Sequence, residues 1–262
     1  MDNVFKALRA GAGVATVGLL LLTPLPASAQ APAPAAPAAP EPPPRLEASA
    51  QFAFLGNTGN STSNSLGTGF EIVARPDPWE HTGKLTYSQS DEDNELNARS
   101  LTALYRASRE INKRTSGYVQ YDYLRDIFAG IEYRHIVEGG LSFKAVDTPR
   151  QRLRLDVALG YLYESALQAD HFDSATLSFG AKYEADLSKT AKFTFQPRYV
   201  LTLADTSAYK YNQEAALTAA LTSVLALKVS YTIRYDARPA PTFETTDTIT
   251  AVSLVAKVRK PK

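Results

Sequence analysis

The chain has 262 residues, a formal charge of +1, 14 Tyr, 11 Phe and no Cys. That length accommodates one large domain plus processing segments, and the near-neutral balance removes the electrostatic case for a nucleic-acid binder. Without cysteine there is neither a disulfide framework nor a thiolate metal site.

The first element is an export signal. Lys6 and Arg9 precede the apolar run "AGVATVGLLLL", and "TPLPASAQ" follows, with Ala27-Ser28-Ala29 in the pattern of small residues read at a cleavage site. A charged start, a short apolar core and a small-residue cut describe a secretory signal peptide. The run is shorter than the roughly 20 apolar residues a spanning helix needs. Cleavage is expected between Ala29 and Gln30, so 1–29 is the signal peptide. Residues 30–45 form a Pro/Ala-rich linker, since "APAPAAPAAPEPPP" lacks backbone donors and favours an extended, semi-rigid conformation.

From residue 46 to 262 one signal recurs. In "LRLDVALGYLY" the positions Leu153, Leu155, Val157, Leu159, Tyr161 and Tyr163 are apolar, and Arg154, Asp156, Ala158, Gly160 and Leu162 lie between them. "ATLSFGAKYEA" and "LALKVSYTIRYD" repeat the alternation. Period two over such lengths is a strand with two unlike faces. Twelve runs are predicted: 46–55, 64–75, 79–89, 98–108, 116–125, 131–145, 151–164, 174–186, 191–204, 209–222, 225–236 and 246–259. Short connections such as Pro76-Asp77-Pro78 and Leu187-Ser188-Lys189 alternate with longer ones at 56–63, 90–97, 126–130, 165–173, 204–208 and 237–245. Short turns at one end and longer loops at the other predict an all-β, up-and-down antiparallel barrel. Pro197, which cannot donate to a ladder, predicts a bulge or kink in the ninth strand.

Period two alone does not say which face points outward, because a soluble carrier barrel also alternates. Three features favour a transmembrane barrel. The strand count is even and exceeds the roughly eight of ligand-carrying barrels. The polar face mixes charges with Gly, Ala, Ser and Thr, as a crowded or wet lumen does. Aromatics flank an aliphatic middle: Tyr87, Tyr123, Tyr133, Tyr163, Tyr211 and Tyr235 near the longer loops, Trp79, Tyr105, Phe143, Tyr183 and Phe193 near the short turns. The expected place is the bacterial outer membrane, with both termini periplasmic. The expected partners are outer-membrane lipids, lipopolysaccharide and the barrel-assembly machinery. The chain ends "VAKVRKPK", so the terminal strand either is recognised through Val258 or extends past the barrel.

The residues "GNTGN" and "YDYLRDIFAGIEYRHIVEGGLSF" resemble a family of bacterial salt-induced outer-membrane proteins whose shared domain, DUF481, has no assigned function. The resemblance runs from about Leu46 to Val258. Gly56, Asn57, Gly59 and Asn60 carry it at the first hairpin, and Arg125, Asp126, Gly130, Tyr133 and Arg134 at the centre. It implies an outer-membrane barrel and no reaction.

Lys84, Arg106, Asp122, Glu132, Arg134, Glu138, Arg154, Asp156, Lys182, Glu184, Arg198 and Arg234 fall on the polar parity and are the candidate lumen charges. Lys144, Arg152, Lys192, Lys210, Glu214, Lys228 and Asp236 share it. They read either as a selectivity-tuning channel wall or as paired charges that fill and stiffen the interior. The number of long side chains points to a narrow or plugged lumen, and the loops are too short to form a separate constriction.

Candidate chemistry is sparse. His171 in "QADHFDS" stands beside Asp170, and an Asp-His pair at a barrel rim is the only arrangement here suited to activating water, which makes a rim hydrolase the alternative to a non-enzymatic barrel. A polar loop tip is the plainer account. Asp91, Glu92, Asp93 and Glu95 form an acidic loop without calcium-loop spacing. "GNTGNSTSNS" has the glycines of a phosphate loop but no Lys-Ser or Lys-Thr after it, so it reads as a hairpin turn. No cofactor or metal is expected.

Overall fold

The computed structural model describes residues 44–58, 63–92, 95–167 and 170–260. The signal peptide, its Ala29–Gln30 junction, most of the linker, and Gly59 and Asn60 of the first hairpin lie outside the described residues.

Twelve strands form one closed antiparallel barrel, each paired with its sequence neighbours and the last with the first. They are β1 Leu46–Thr58, β2 Ser63–Ala74, β3 Trp79–Glu92, β4 Glu95–Glu110, β5 Thr115–Asp126, β6 Ile131–Asp147, β7 Gln151–Ala166, β8 Phe172–Asp186, β9 Ala191–Thr202, β10 Lys210–Ala220, β11 Leu225–Asp236 and β12 Thr246–Lys260. A 3-10 turn, Ile127–Ala129, joins β5 to β6. Closure is the physical reason the chain can afford so much strand: a barrel leaves no edge with unpaired backbone groups.

The side chains settle which face is which. Phe52, Phe70, Leu85, Val137, Leu159, Phe179, Val229, Leu254 and their like project outward and are exposed, whereas the interleaved polar residues turn inward. Every apolar face is thus on the outside. Outward aromatic clusters sit at both ends. At the loop end Tyr133, His135 and Tyr163 pack together and Tyr121 bonds His135 Nδ1 at 2.8 Å; at the turn end Trp79, His81 and Tyr105 stack.

Three details depart from the alternation. Pairing runs further than expected, to Asn57↔Ser63 and Glu92↔Glu95, because ladders join backbone groups and polar side chains do not end them. Pro197 introduces no shift: Gly180↔Arg198 and Tyr183↔Phe195 keep one register on either side of a gap in the β8–β9 ladder, while Gln213↔Pro197 pairs normally with β10. The missing donor costs local pairing without inserting a residue. Finally, β12 stays paired with β1 out to Leu46↔Lys260, and Val258 points outward within the strand.

Candidate functional site

The interior is a charged cavity of about 550 Å³. Ion pairs cross it from wall to wall. At mid-height Arg198 on β9 donates to Asp122 on β5 at 2.7 Å and to Glu138 on β6 at 2.8 Å. Arg106 on β4 reaches Asp156 on β7 at 2.7 Å, and its guanidinium lies 3.6 Å from the centroid of the inward ring of Tyr118. Lys84 on β3 faces Glu214 on β10 at 3.7 Å, and Lys228 on β11 meets the same carboxylate at 2.6 Å. All of these except Lys228–Glu214, which joins the neighbouring β11 and β10, link strands that are not adjacent and so span the lumen.

Towards the loop end a second layer closes in. Arg134 on β6 bonds both Glu164 on β7 and Asp236 on β11, and Lys210 on β10 reaches the same two carboxylates. Arg234 contacts Asp126 at 3.3 Å across the barrel. Asp126 also accepts from the backbone N–H of Ala129 at 3.2 Å, so it caps the 3-10 turn with one oxygen and pairs across the lumen with the other.

Above this layer the loop 237–245 lines the cavity and narrows the mouth, contrary to the expectation that no loop forms a constriction. In the loop 203–209, Ala208 is buried and Thr202 Oγ1 donates to the Asp205 carbonyl at 2.6 Å. In the loop 237–245, Pro239, Ala240, Glu244 and Thr245 line the cavity. Arg238 pairs with Asp205 and ties the two loops together. Hydrogen bonds from the Ser207 side chain and backbone, with Arg238 adding to them, hold the Asp205 carboxyl below the usual aspartate range. Gly130 completes the fit. Its φ is 75°, and a Cβ there would stand 2.8 Å from Phe243 Cδ2 and 2.9 Å from Ala240 Cβ. The sequence signal for this closure was too weak to read, since loops this short ordinarily lie outside a barrel.

Lys182, Glu184 and Arg154 sit nearer the short turns. Lys182 lies 3.1 Å from Glu184, which also accepts from Arg152 Nε at 3.0 Å, and Arg154 extends across to Glu80 at 3.9 Å. Glu132 is the correction among the candidate lumen charges. A register shift between Ile131 and Tyr133 turns Ile131 into the cavity and leaves Glu132 exposed, accepting from Ser165 Oγ at 2.8 Å. Strict alternation fails there because a bulge inserts one residue. Arg125 is exposed at the rim, Tyr133 belongs to the outer aromatic cluster, and Gly56 and Asn57 carry the last rungs of β1. Tyr118 and Glu164 also face the interior, and the signal that could have found them is parity: Tyr118 shares that of Asp122 on β5, and Glu164 that of Asp156 on β7.

The loop residue His171 stacks flat on Tyr163, with ring centroids 6.0 Å apart, and Asp173 accepts from Tyr161. Among the described residues, no hydrogen bond joins Asp170 to His171, and no group of three or more His, Asp or Glu is placed to hold a metal ion.

No curated protein matches the sequence. Among solved structures the barrel is similar to the NanC porin, with a TM-score of 0.55 at 9% identity over 80% of this chain and 100% of that one. It is also similar to a bacterial polysaccharide outer membrane secretin, with a TM-score of 0.47 at 8% identity over 82% of this chain and 98% of that one. The translocator domain of the autotransporter NalP from Neisseria meningitidis gives 0.46 at 12% identity, over 80% and 88%. At these identities the likeness concerns the fold alone, and the two lower scores carry no argument. The family model described as a protein of unknown function, DUF481, matches residues 50–258, from within β1 almost to the end of β12, and the chain belongs to that family.

Proposed function

We propose that this protein is a non-enzymatic barrel of the bacterial outer membrane, with both termini on the periplasmic side, that lets small hydrophilic solutes or ions pass through a narrow charged lumen. The observation that carries the reading is the inversion of the ordinary arrangement: apolar side chains outside, a charged cavity inside. An exposed apolar surface of this extent is untenable in water and stable against hydrocarbon. Outward aromatics at both ends suit the two interfaces of a bilayer. Export by the N-terminal signal and insertion by the barrel-assembly machinery belong to the same reading.

Conductance of the purified protein in planar bilayers tests passage. Discrete steps at moderate salt are expected, and silence across a range of salts refutes it. A second reading is favoured by a specific observation: the ion pairs that cross the lumen and the loops tied by Arg238 and Asp205 close much of the path. On that reading the barrel is an envelope-structural or stress protein that presents its rim to lipopolysaccharide. A rim hydrolase using Asp170 and His171 has no such support, and a His171→Ala variant should behave as the parent does towards lipid and peptide substrates.

A further inference from the structure

At the short-turn end of the lumen cations outnumber the carboxylates within their reach. Arg154 on β7 stands directly opposite Lys144 on β6 and Lys182 on β8, so three cations form one row across adjacent strands. Like charges directly opposite one another destabilise a sheet. Lys144 is drawn aside to Glu110 at 2.6 Å. Arg154 and Lys182 have only carboxylates that other cations already hold. Glu80, 3.9 Å from Arg154, accepts from Arg75 at 2.8 Å. Glu184, 3.1 Å from Lys182, accepts from Arg152 at 3.0 Å. Lys84 completes the set: among the described residues its one ion pair is with Glu214 at 3.7 Å, a carboxylate bonded to Lys228 at 2.6 Å, and Lys182 is within electrostatic reach of that same group.

Accessibility sharpens the imbalance. The side chains of Lys84, Arg154 and Lys182 are 37%, 45% and 42% exposed, whereas their carboxylates Glu214, Glu80 and Glu184 are 24%, 30% and 21% exposed. Long cationic stems carry their heads into the lumen while the shorter carboxylates stay against the wall. Among these groups the cationic heads are therefore more accessible from the lumen than the carboxylates they share.

We infer that Lys84, Arg154 and Lys182 form a binding site for a small oxyanion, a solute bearing a carboxylate or phosphate group, and that anions are the preferred cargo of this lumen. The cargo half of the inference rests on the solute-passage reading; the site itself does not. An oxyanion placed among the three heads relieves the repulsion within the row and supplies the counter-charge that shared carboxylates leave incomplete. It also has several N–H donors of Lys and Arg to accept from.

Calorimetric titration of the full-length protein in detergent, at low ionic strength, tests the site with two probes, inorganic phosphate and citrate. Saturable binding of at least one is expected, and which probe binds separates phosphate from carboxylate chemistry. Arg154→Gln and Lys182→Gln should each weaken it by about tenfold, the effect of one cation removed at contact range in a wet site. Arg154→Lys should retain binding, which guards against a variant that merely misfolds. Arg154→Gln should also leave the unfolding midpoint unchanged or raised, because it relieves the row; a purely structural arginine would lower it. Absence of saturable binding, or binding indifferent to both substitutions, overturns the site. In bilayers, a reversal potential under a KCl gradient should show preference for chloride, reduced in the double variant. Conductance without anion preference leaves passage standing and refutes the cargo assignment, while binding without conductance keeps the site and refutes passage.

Discussion

Replacing Arg198 by alanine removes the central tie across the lumen. In the intact barrel its guanidinium holds Asp122 at 2.7 Å and Glu138 at 2.8 Å. The two acids would not suffer equally. Asp122 keeps a hydrogen bond from Gln120 Nε2 at 2.9 Å, whereas the Glu138 side chain is only 2% exposed and its carboxylate would be left without a cation. Stranding one member of a buried pair costs about 3–5 kcal/mol. Water entering the space vacated by the side chain rehydrates part of the charge, so the lower end, about 3 kcal/mol, is the expected loss. The double variant Arg198→Ala with Glu138→Gln leaves only the more exposed, still hydrogen-bonded Asp122 without its cation and should recover most of that loss. Urea unfolding in lipid vesicles reads the difference, with the fluorescence of Trp79, the single tryptophan, as reporter. The same variant should conduct better than the parent because a group that spans the lumen is gone. A loss below about 0.5 kcal/mol, the range of an ordinary surface change, with no gain from the second substitution, would mean that these carboxylates are already hydrated. The lumen would then be open at mid-height, with no ion pair closing it.

Other regions yield sharper local tests. Leu159 is outward and 65% exposed near the middle of β7, so Leu159→Arg should destabilise the barrel in vesicles by about 2–4 kcal/mol; a neutral or favourable effect in urea titrations would refute the membrane assignment. Gly130→Ala places a side chain at positive φ, at about 1–2 kcal/mol, and drives it against Phe243. Loop 237–245 should be displaced, seen as increased single-channel conductance, and unchanged conductance would show that the loop does not narrow the path. For Asp205 the sign follows from its depressed pKa. Its contribution is present above the unfolded aspartate value and is lost as pH falls through the lower folded value. Proteolytic cleavage in loop 203–209 should therefore rise only in strong acid, and Asp205→Asn should reproduce the rise at neutral pH.

Much of the architecture is legible in residue order because a strand's side chains alternate strictly between two faces. Leu153 to Tyr163 or Leu225 to Asp236 can be read as strands without knowing their neighbours, and all twelve elements were found in this way. The same parity divides outward Val157 and Phe179 from inward Asp156 and Arg198. It fails where the backbone departs from alternation, as at Glu132, and it says nothing where the chain bends back on itself, as in loop 237–245.

Which charges meet is a property of closure. Arg198 and Asp122 are 76 residues apart in the chain, and Arg234 and Asp126 are 108 apart. Nothing in the intervening sequence pairs them; they touch because twelve tilted strands return the last to the first and bring opposite walls within reach. The excess of cations at the turn end likewise becomes visible only when the register sets Lys144, Arg154 and Lys182 side by side. The sequence by itself determined the strands, their order and the polarity of each face, since these follow from local periodicity. Only the tertiary structure decided which ion pairs span the lumen and how far the mouth is closed, since these depend on distances between residues remote in the chain.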